Sequence, residues 1–171
     1  MERSTFRGMN PKQTEKELRE EIRSRTMDWL WPQDVPKVFV TLRARERARI
    51  KGRLYRLTAD ELSRSVTVMM DRLSRRYFKC RDVKRGRKLH HVFVCEAGAL
   101  VGLHYHGWIA VPEQENGDFC QIVEAIWNSV VFADNAVVVP AWSDGALSYA
   151  IKWKSTGHFL DHIDFRNVSL P

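Results

Sequence analysis

The chain has 171 residues, a net charge of +7 and a pI near 9.6, with 44% hydrophobic and 29% charged residues. That is enough apolar material for one domain with a sizeable core, and no apolar run approaches the roughly 20 residues of a membrane span. The first thirty or so residues are charged and lack an apolar stretch, so no secretory signal is expected. Cys80, Cys95 and Cys120 fit neither a zinc pattern nor a disulfide framework, so a reducing compartment is expected.

Taken in chain order, Asn10-Pro11 followed by Gln13 starts a helix that runs to about Leu30, with Leu18, Ile22, Trp29 and Leu30 as a thin apolar stripe. Residues 1–34 are therefore expected to form an N-terminal helical extension and residues 35–171 the globular domain. The first core strand spans Lys37 to Arg43. Arg43, Arg45, Arg47, Arg49, Lys51, Arg53 and Arg56 then crowd a segment broken by one acid, Glu46, and read as a loop. Thr58-Ala-Asp-Glu61 is a capping box, and the helix it opens carries Leu62, Val66, Met69, Met70, Leu73 and Tyr77 at helical spacing. A second basic cluster follows: Lys79, Arg81, Lys84, Arg85, Arg87 and Lys88.

Two strands come next, His91 to Glu96 and Gly102 to Val111, joined as a hairpin. Gly117-Asp118 begins a helix whose expected buried face is Phe119, Ile122, Val123, Ile126, Trp127, Val130 and Val131. Ala136 to Pro140 reads as a buried strand, and Ser143 to Lys154 as a short closing helix. The segment His158 to Asp164 is read as surface rather than as a second metal site, although His158 and His162 are four apart. The expected fold is α+β: a ferredoxin/RRM-like β-α-β-β-α-β antiparallel sheet with helices packed on it, plus an N-terminal helix and a C-terminal catalytic helix.

The chemistry concentrates at His104-Tyr105-His106. Residues two apart on a strand share a face, and antiparallel pairing would bring Glu96 back beside the histidines. Two imidazoles and one carboxylate make a three-ligand metal site with positions open to water or a phosphate oxygen. Tyr149 and Lys152, at i and i+3 of a helix, would point the same way. A phenol can act as a covalent nucleophile, and the ammonium supplies a point charge for phosphate. Taken singly, each residue reads as a surface histidine, a packing tyrosine, a solvated lysine or a solvated basic loop. Together they point to phosphodiester transfer on a nucleic acid, with the basic clusters attracting the phosphate backbone.

Glu96, the seven-residue gap, His104-Tyr-His106 and Tyr149-x-x-Lys152 resemble, in order, the motifs of the HUH endonuclease superfamily. They are most similar to those of the replication initiators (Rep) of rolling-circle viruses and plasmids. Val38-Phe-Val-Thr-Leu-Arg43 resembles the first motif of that family, so the likeness spans residues 37 to 154. It implies that Glu96, His104 and His106 hold Mg²⁺ or Mn²⁺. Tyr149 would attack the scissile phosphate and retain the 5′ phosphate, with Lys152 stabilising charge beside it. The expected DNA contacts are Arg43, Arg45, Arg47, Arg49, Lys51, Arg53, Lys84, Arg85, Arg87, Lys88 and Lys154.

The implied substrate is single-stranded DNA at a replication origin or stem-loop, in the bacterial cytoplasm or, for a eukaryotic virus, the host nucleus. No glycine-rich phosphate loop occurs in the chain, so a helicase is expected in trans. A single-tyrosine transposase or mobilisation relaxase is the alternative within the superfamily. Outside it stand a non-catalytic RRM-like single-strand binder, with Tyr105 and Trp108 stacking bases, and an iron oxygenase built on the same triad.

Overall fold

The computed structural model describes residues 21, 24–25, 28–31, 34–98, 102–115, 117–141 and 163–170. Two compact units divide the chain, Met1–Pro32 and Gln33–Pro171. In the first, the described residues from 21 to 30 are helical; Arg25 pairs with Glu21 at 2.7 Å, and Trp29 is 52% exposed rather than buried in an apolar stripe.

The second unit is α+β and is built on a five-stranded antiparallel sheet. Its elements are β1 (Lys37–Ala44), β2 (Arg47–Ile50), β3 (Arg53–Arg56), α1 (Ala59–Tyr77), α2 (Cys80–Lys84), β4 (His91–Gly98), β5 (Gly102–Ala110), α3 (Phe119–Asn128), β6 (Ala133–Pro140) and β7 (Ile163–Ser169). The sheet order is β6-β1-β5-β4-β7, and β2 with β3 forms a separate two-stranded ribbon. Among the described residues no helix is long and apolar enough to cross a membrane.

Alternation along the strands divides the sheet into two chemically distinct faces. On β1, Val38, Val40 and Leu42 are buried and meet Ile109, Gly107 and Tyr105 of β5. They join Leu62, Val66, Met69, Met70 and Leu73 of α1 and Phe119, Val123 and Trp127 of α3 in one core. Full burial of each such side chain contributes about 1.5–3 kcal/mol. Phe39, Thr41 and Arg43 alternate with these residues and point to the opposite face, which carries the histidines. Both helices have side-chain N-caps: Thr58 accepts from the Glu61 N–H at 3.2 Å, and Asp118 from the Gln121 N–H at 3.1 Å.

The sequence expectations need correcting in five places. The run Ala136 to Pro140 is not a buried strand but part of the edge strand β6, whose Val137 and Val139 are 50% and 45% exposed. The arginine-rich segment is not a loop but a β-hairpin, because Ala48 and Ile50 give it an apolar side that packs on the core. The tail is not wholly a surface segment: Ile163 is buried and opens β7, an edge strand paired with β4. Val131 is 53% exposed, since α3 ends at Asn128 and the periodicity no longer applies beyond it. Tyr105 and Trp108 are buried at 2% and 0% exposure, so neither can stack a base.

A buried polar network fastens β7 to the sheet. Tyr105 donates to Asp164 Oδ2 at 2.6 Å and Asn167 Nδ2 donates to the same oxygen at 2.7 Å; Thr67 donates to Asn167 Oδ1 at 2.9 Å. Burial pushes the Asp164 carboxyl up, but hydrogen bonds from Ser63, Tyr105 and Asn167 outweigh it and hold the group below its ordinary value. The Tyr105 phenol is pushed well above its ordinary value, first by burial and then by Asp164.

His91 is 1% exposed and bonds the Leu89 carbonyl through Nδ1 at 2.6 Å. Burial lowers its pKa from 6.5 to about 4, against the opposing pull of that hydrogen bond. A base with a depressed folded pKa stabilises the fold above its unfolded value and loses that contribution as the pH falls. Stability is therefore expected to drop between pH 6.5 and about 4, by about 3 kcal/mol from this residue. Urea unfolding across that window, with His91→Gln showing a shallower pH dependence, checks it; equal slopes would refute it.

Candidate metal centre

β4 and β5 are rich in the Val, Phe, Tyr, Trp and Ile side chains that suit a pleated surface, and they pair in a continuous register. Gly98 lies opposite Gly102, so only residues 99–101 connect the strands. Glu96 is then directly opposite His104, with His106 two positions along on the same face. The register expected from the sequence is the one found. Tyr105, between the histidines, points to the other face and bonds Asp164.

His104 Nε2 lies 3.6 Å from Glu96 Oε2, and His106 Nε2 lies 3.9 Å from the same oxygen. The imidazole rings are 4.9 Å apart and nearly perpendicular, at 88°. One ligand atom from each of the three residues lies within 4.8 Å of the others, and among the described residues this is the one such group. The nitrogen–oxygen gaps exceed hydrogen-bond length, yet donors this close can reach one cation at bonds of about 2.0–2.2 Å after small adjustments. The donor set fits a divalent metal.

Neighbouring groups orient the histidines through their Nδ1 atoms. His104 Nδ1 is 3.1 Å from the Gly102 carbonyl, which can only accept, so Nδ1 carries the proton and Nε2 keeps its lone pair. His106 Nδ1 is 2.9 Å from Thr41 Oγ1 on β1; donation to that hydroxyl likewise leaves Nε2 to ligate. Phe39 stacks on the His106 ring at 6.0 Å and 15°. Thr41 and Phe39 were not identified from the sequence as part of the site. The signal was available in the alternation of β1, which puts Phe39, Thr41 and Arg43 opposite the apolar Val38, Val40 and Leu42.

Arg43 pairs in register with His104 and is exposed on the triad face. A bulge follows at Arg43/Ala44, where the Trp127 indole donates to the Arg43 and Asn135 carbonyls, each at 3.2 Å. The chain then enters the β2–β3 ribbon, so Arg43, Arg45, Arg47, Arg49, Lys51 and Arg53 follow from the triad end of β1. Arg45 lies 3.8 Å from Asp134.

The second basic cluster is elsewhere. Lys84, Arg85, Arg87 and Lys88 precede His91, the end of β4 remote from Glu96, about 17 Å away along the strand. Lys88 pairs with Asp71 at 3.2 Å, and the Arg87 guanidinium lies 4.3 Å over the Phe78 ring. The 19-residue α1, about 28 Å long, separates the two clusters. Tyr149, Lys152, Lys154, His158 and His162 lie outside the described residues. Compared with protein-family models, curated proteins and solved structures, the chain matches none.

Proposed function

We propose that this protein is a metal-dependent, site-specific single-stranded DNA nickase and ligase of the HUH replication-initiator type. The observation that carries this reading is the Glu96–His104–His106 cluster gathered on one face of an antiparallel sheet. The strand order β6-β1-β5-β4, with α1 and α3 as the crossovers, agrees with the ferredoxin/RRM-like arrangement implied by the resemblance. Fold alone does not fix function, so the argument rests on the site.

Glu96, His104 and His106 would hold Mn²⁺ or Mg²⁺, and two imidazoles in the donor set favour Mn²⁺. When bound, the ion supplies polarisation of a phosphate oxygen. Thr41 and the Gly102 carbonyl keep the two imidazoles oriented, and Arg43 offers a guanidinium to a phosphate laid across the triad. Tyr149 would form a bond to the scissile phosphorus as the bond to the 3′ oxygen breaks. The 5′ phosphate stays on the tyrosine and the phenol proton ends on the freed 3′ hydroxyl. Lys152 would stabilise the developing charge, and attack by a new 3′ hydroxyl would rejoin the strand. Single-stranded DNA at an origin or stem-loop, and a helicase acting in trans, complete the proposal.

The test is incubation with single-stranded DNA pools and Mn²⁺, followed by a denaturing gel. A protein–DNA adduct that survives SDS and heat is expected from the wild type. Tyr149→Phe loses only the phenol oxygen, so it should abolish the adduct while DNA binding persists. An adduct formed by the Phe variant would place the nucleophile elsewhere. No adduct from the wild type would sink the reading.

A further inference from the structure

We propose that the β2–β3 ribbon is a duplex-DNA arm, presenting Arg47, Arg49, Arg56 and Leu54 to the major groove of a double-stranded segment. Only the choice of nucleic acid rests on the proposed DNA-processing function. In the antiparallel register Arg47 lies directly opposite Arg56, and Arg49 opposite Leu54. Opposed residues share a face and alternate residues along a strand do too, so these four side chains project together. Arg47, Arg49 and Arg56 are exposed, and Leu54 is 60% exposed.

The ribbon is anchored on its other side. Ala48 and Ile50 pack against the core, the Leu57 N–H bonds the Glu46 carbonyl at 2.7 Å, and the Arg45 N–H bonds the Phe132 carbonyl at 2.8 Å. Its turn is two residues long, with Lys51 at φ 48° and Gly52 at φ 81°, both positive as a type I′ hairpin requires. This anchoring leaves the charged side of the ribbon facing outward.

That side is electrostatically incomplete. Like charges directly opposite one another on paired strands destabilise the pair. Among the described residues no ion pair reaches Arg47, Arg49 or Arg56, whereas Arg45, Arg64 and Arg166 all have acidic partners. An anionic occupant would relieve the repulsion, and its form can be argued from shape. A two-stranded ribbon fits a groove about 12 Å wide, with cations from both strands facing the phosphates along both walls. Leu54 between them suits contact with a thymine methyl. A single-strand site would add aromatic stacking, but the one aromatic of the ribbon, Tyr55, pairs with Ala48 on the opposite side. Duplex RNA is disfavoured because its major groove is too deep and narrow to enter.

The experiment compares Arg47→Gln/Arg49→Gln/Arg56→Gln with wild type, using fluorescence anisotropy on a blunt 20-base-pair duplex and on a 20-nucleotide single strand over a salt series. Glutamine keeps side-chain length, and removal of like charges should leave the melting temperature unchanged or raised. If the triple variant is less stable, Arg56→Gln alone carries the test. Duplex affinity should fall about tenfold or more, and the log–log salt slope should flatten by up to about 2.7 units, at about 0.9 per lost contact. Single-strand affinity should change much less.

Equal losses on single strand and duplex would overturn the proposal in favour of a single-strand track. Unchanged binding to both, or no duplex binding by the wild type, would overturn it in favour of a solvated ribbon. Since binding is read without cleavage, absence of the covalent adduct would defeat the nuclease reading and leave this inference standing.

Discussion

His104→Ala and His106→Ala are each expected to abolish Mn²⁺-dependent strand cleavage and the metal-induced rise in melting temperature together. Two donors cannot hold a polarising cation in register with a phosphate. A metal present at 100 times its Kd stabilises the native state by about 2.7 kcal/mol, which is about 5–10 °C for a domain of this size. That shift should vanish in either variant. Glu96→Gln keeps the shape and removes the charge, so metal affinity should weaken with partial activity retained. Thermal unfolding with and without Mn²⁺ reads all three variants, and a shift unaltered in a His104/His106 double variant would show that the ion binds elsewhere.

Gly107→Ala should be among the most damaging single substitutions in the domain. A Cβ at Gly107 would lie 2.1 Å from the Val92 carbonyl oxygen and 2.8 Å from Phe93 Cδ1. The first of these is backbone, so the clash cannot be relieved by turning a side chain. β4 and β5 would have to separate, at a cost of at least about 3 kcal/mol, the upper end for overpacking. Because this pairing sets Glu96 opposite His104, metal affinity should fall along with stability. Urea unfolding and a Mn²⁺ titration of the variant check both effects; a normally stable Ala variant would show that the strands pair differently.

The metal cluster was legible in the sequence because its logic is local. Period-2 alternation puts His104 and His106 on one face, and a hairpin this short brings Glu96 opposite them whatever the rest of the chain does. The capping box at Thr58 and the apolar periodicity of α1 were legible for the same reason, since both depend on residues three or four apart. The face on which the helices pack was likewise implied by Val38, Val40 and Leu42.

Long-range contacts decided the rest. Thr41 reaches His106 across 65 residues of sequence, and only the β1–β5 register makes them neighbours. β7 joins the sheet by pairing with β4, and its Asn167 and Asp164 are polar residues whose sequence signal is that of a surface segment. Asn167 is buried and Asp164 half-buried because Tyr105, Ser63 and Thr67 from distant elements satisfy them. The arginine-rich segment reads as a solvated loop because charge dominates its composition. It becomes a ribbon because two apolar side chains, Ala48 and Ile50, find a core surface to cover. Composition likewise made one basic protein of two clusters, and the length of α1 set them at opposite ends, leaving the Arg43–Arg56 cluster at the triad end. Local periodicity therefore determined the elements and the grouping of Glu96, His104 and His106. Tertiary pairing decided what supports that triad and which charges stand near it, because those contacts join residues tens of positions apart.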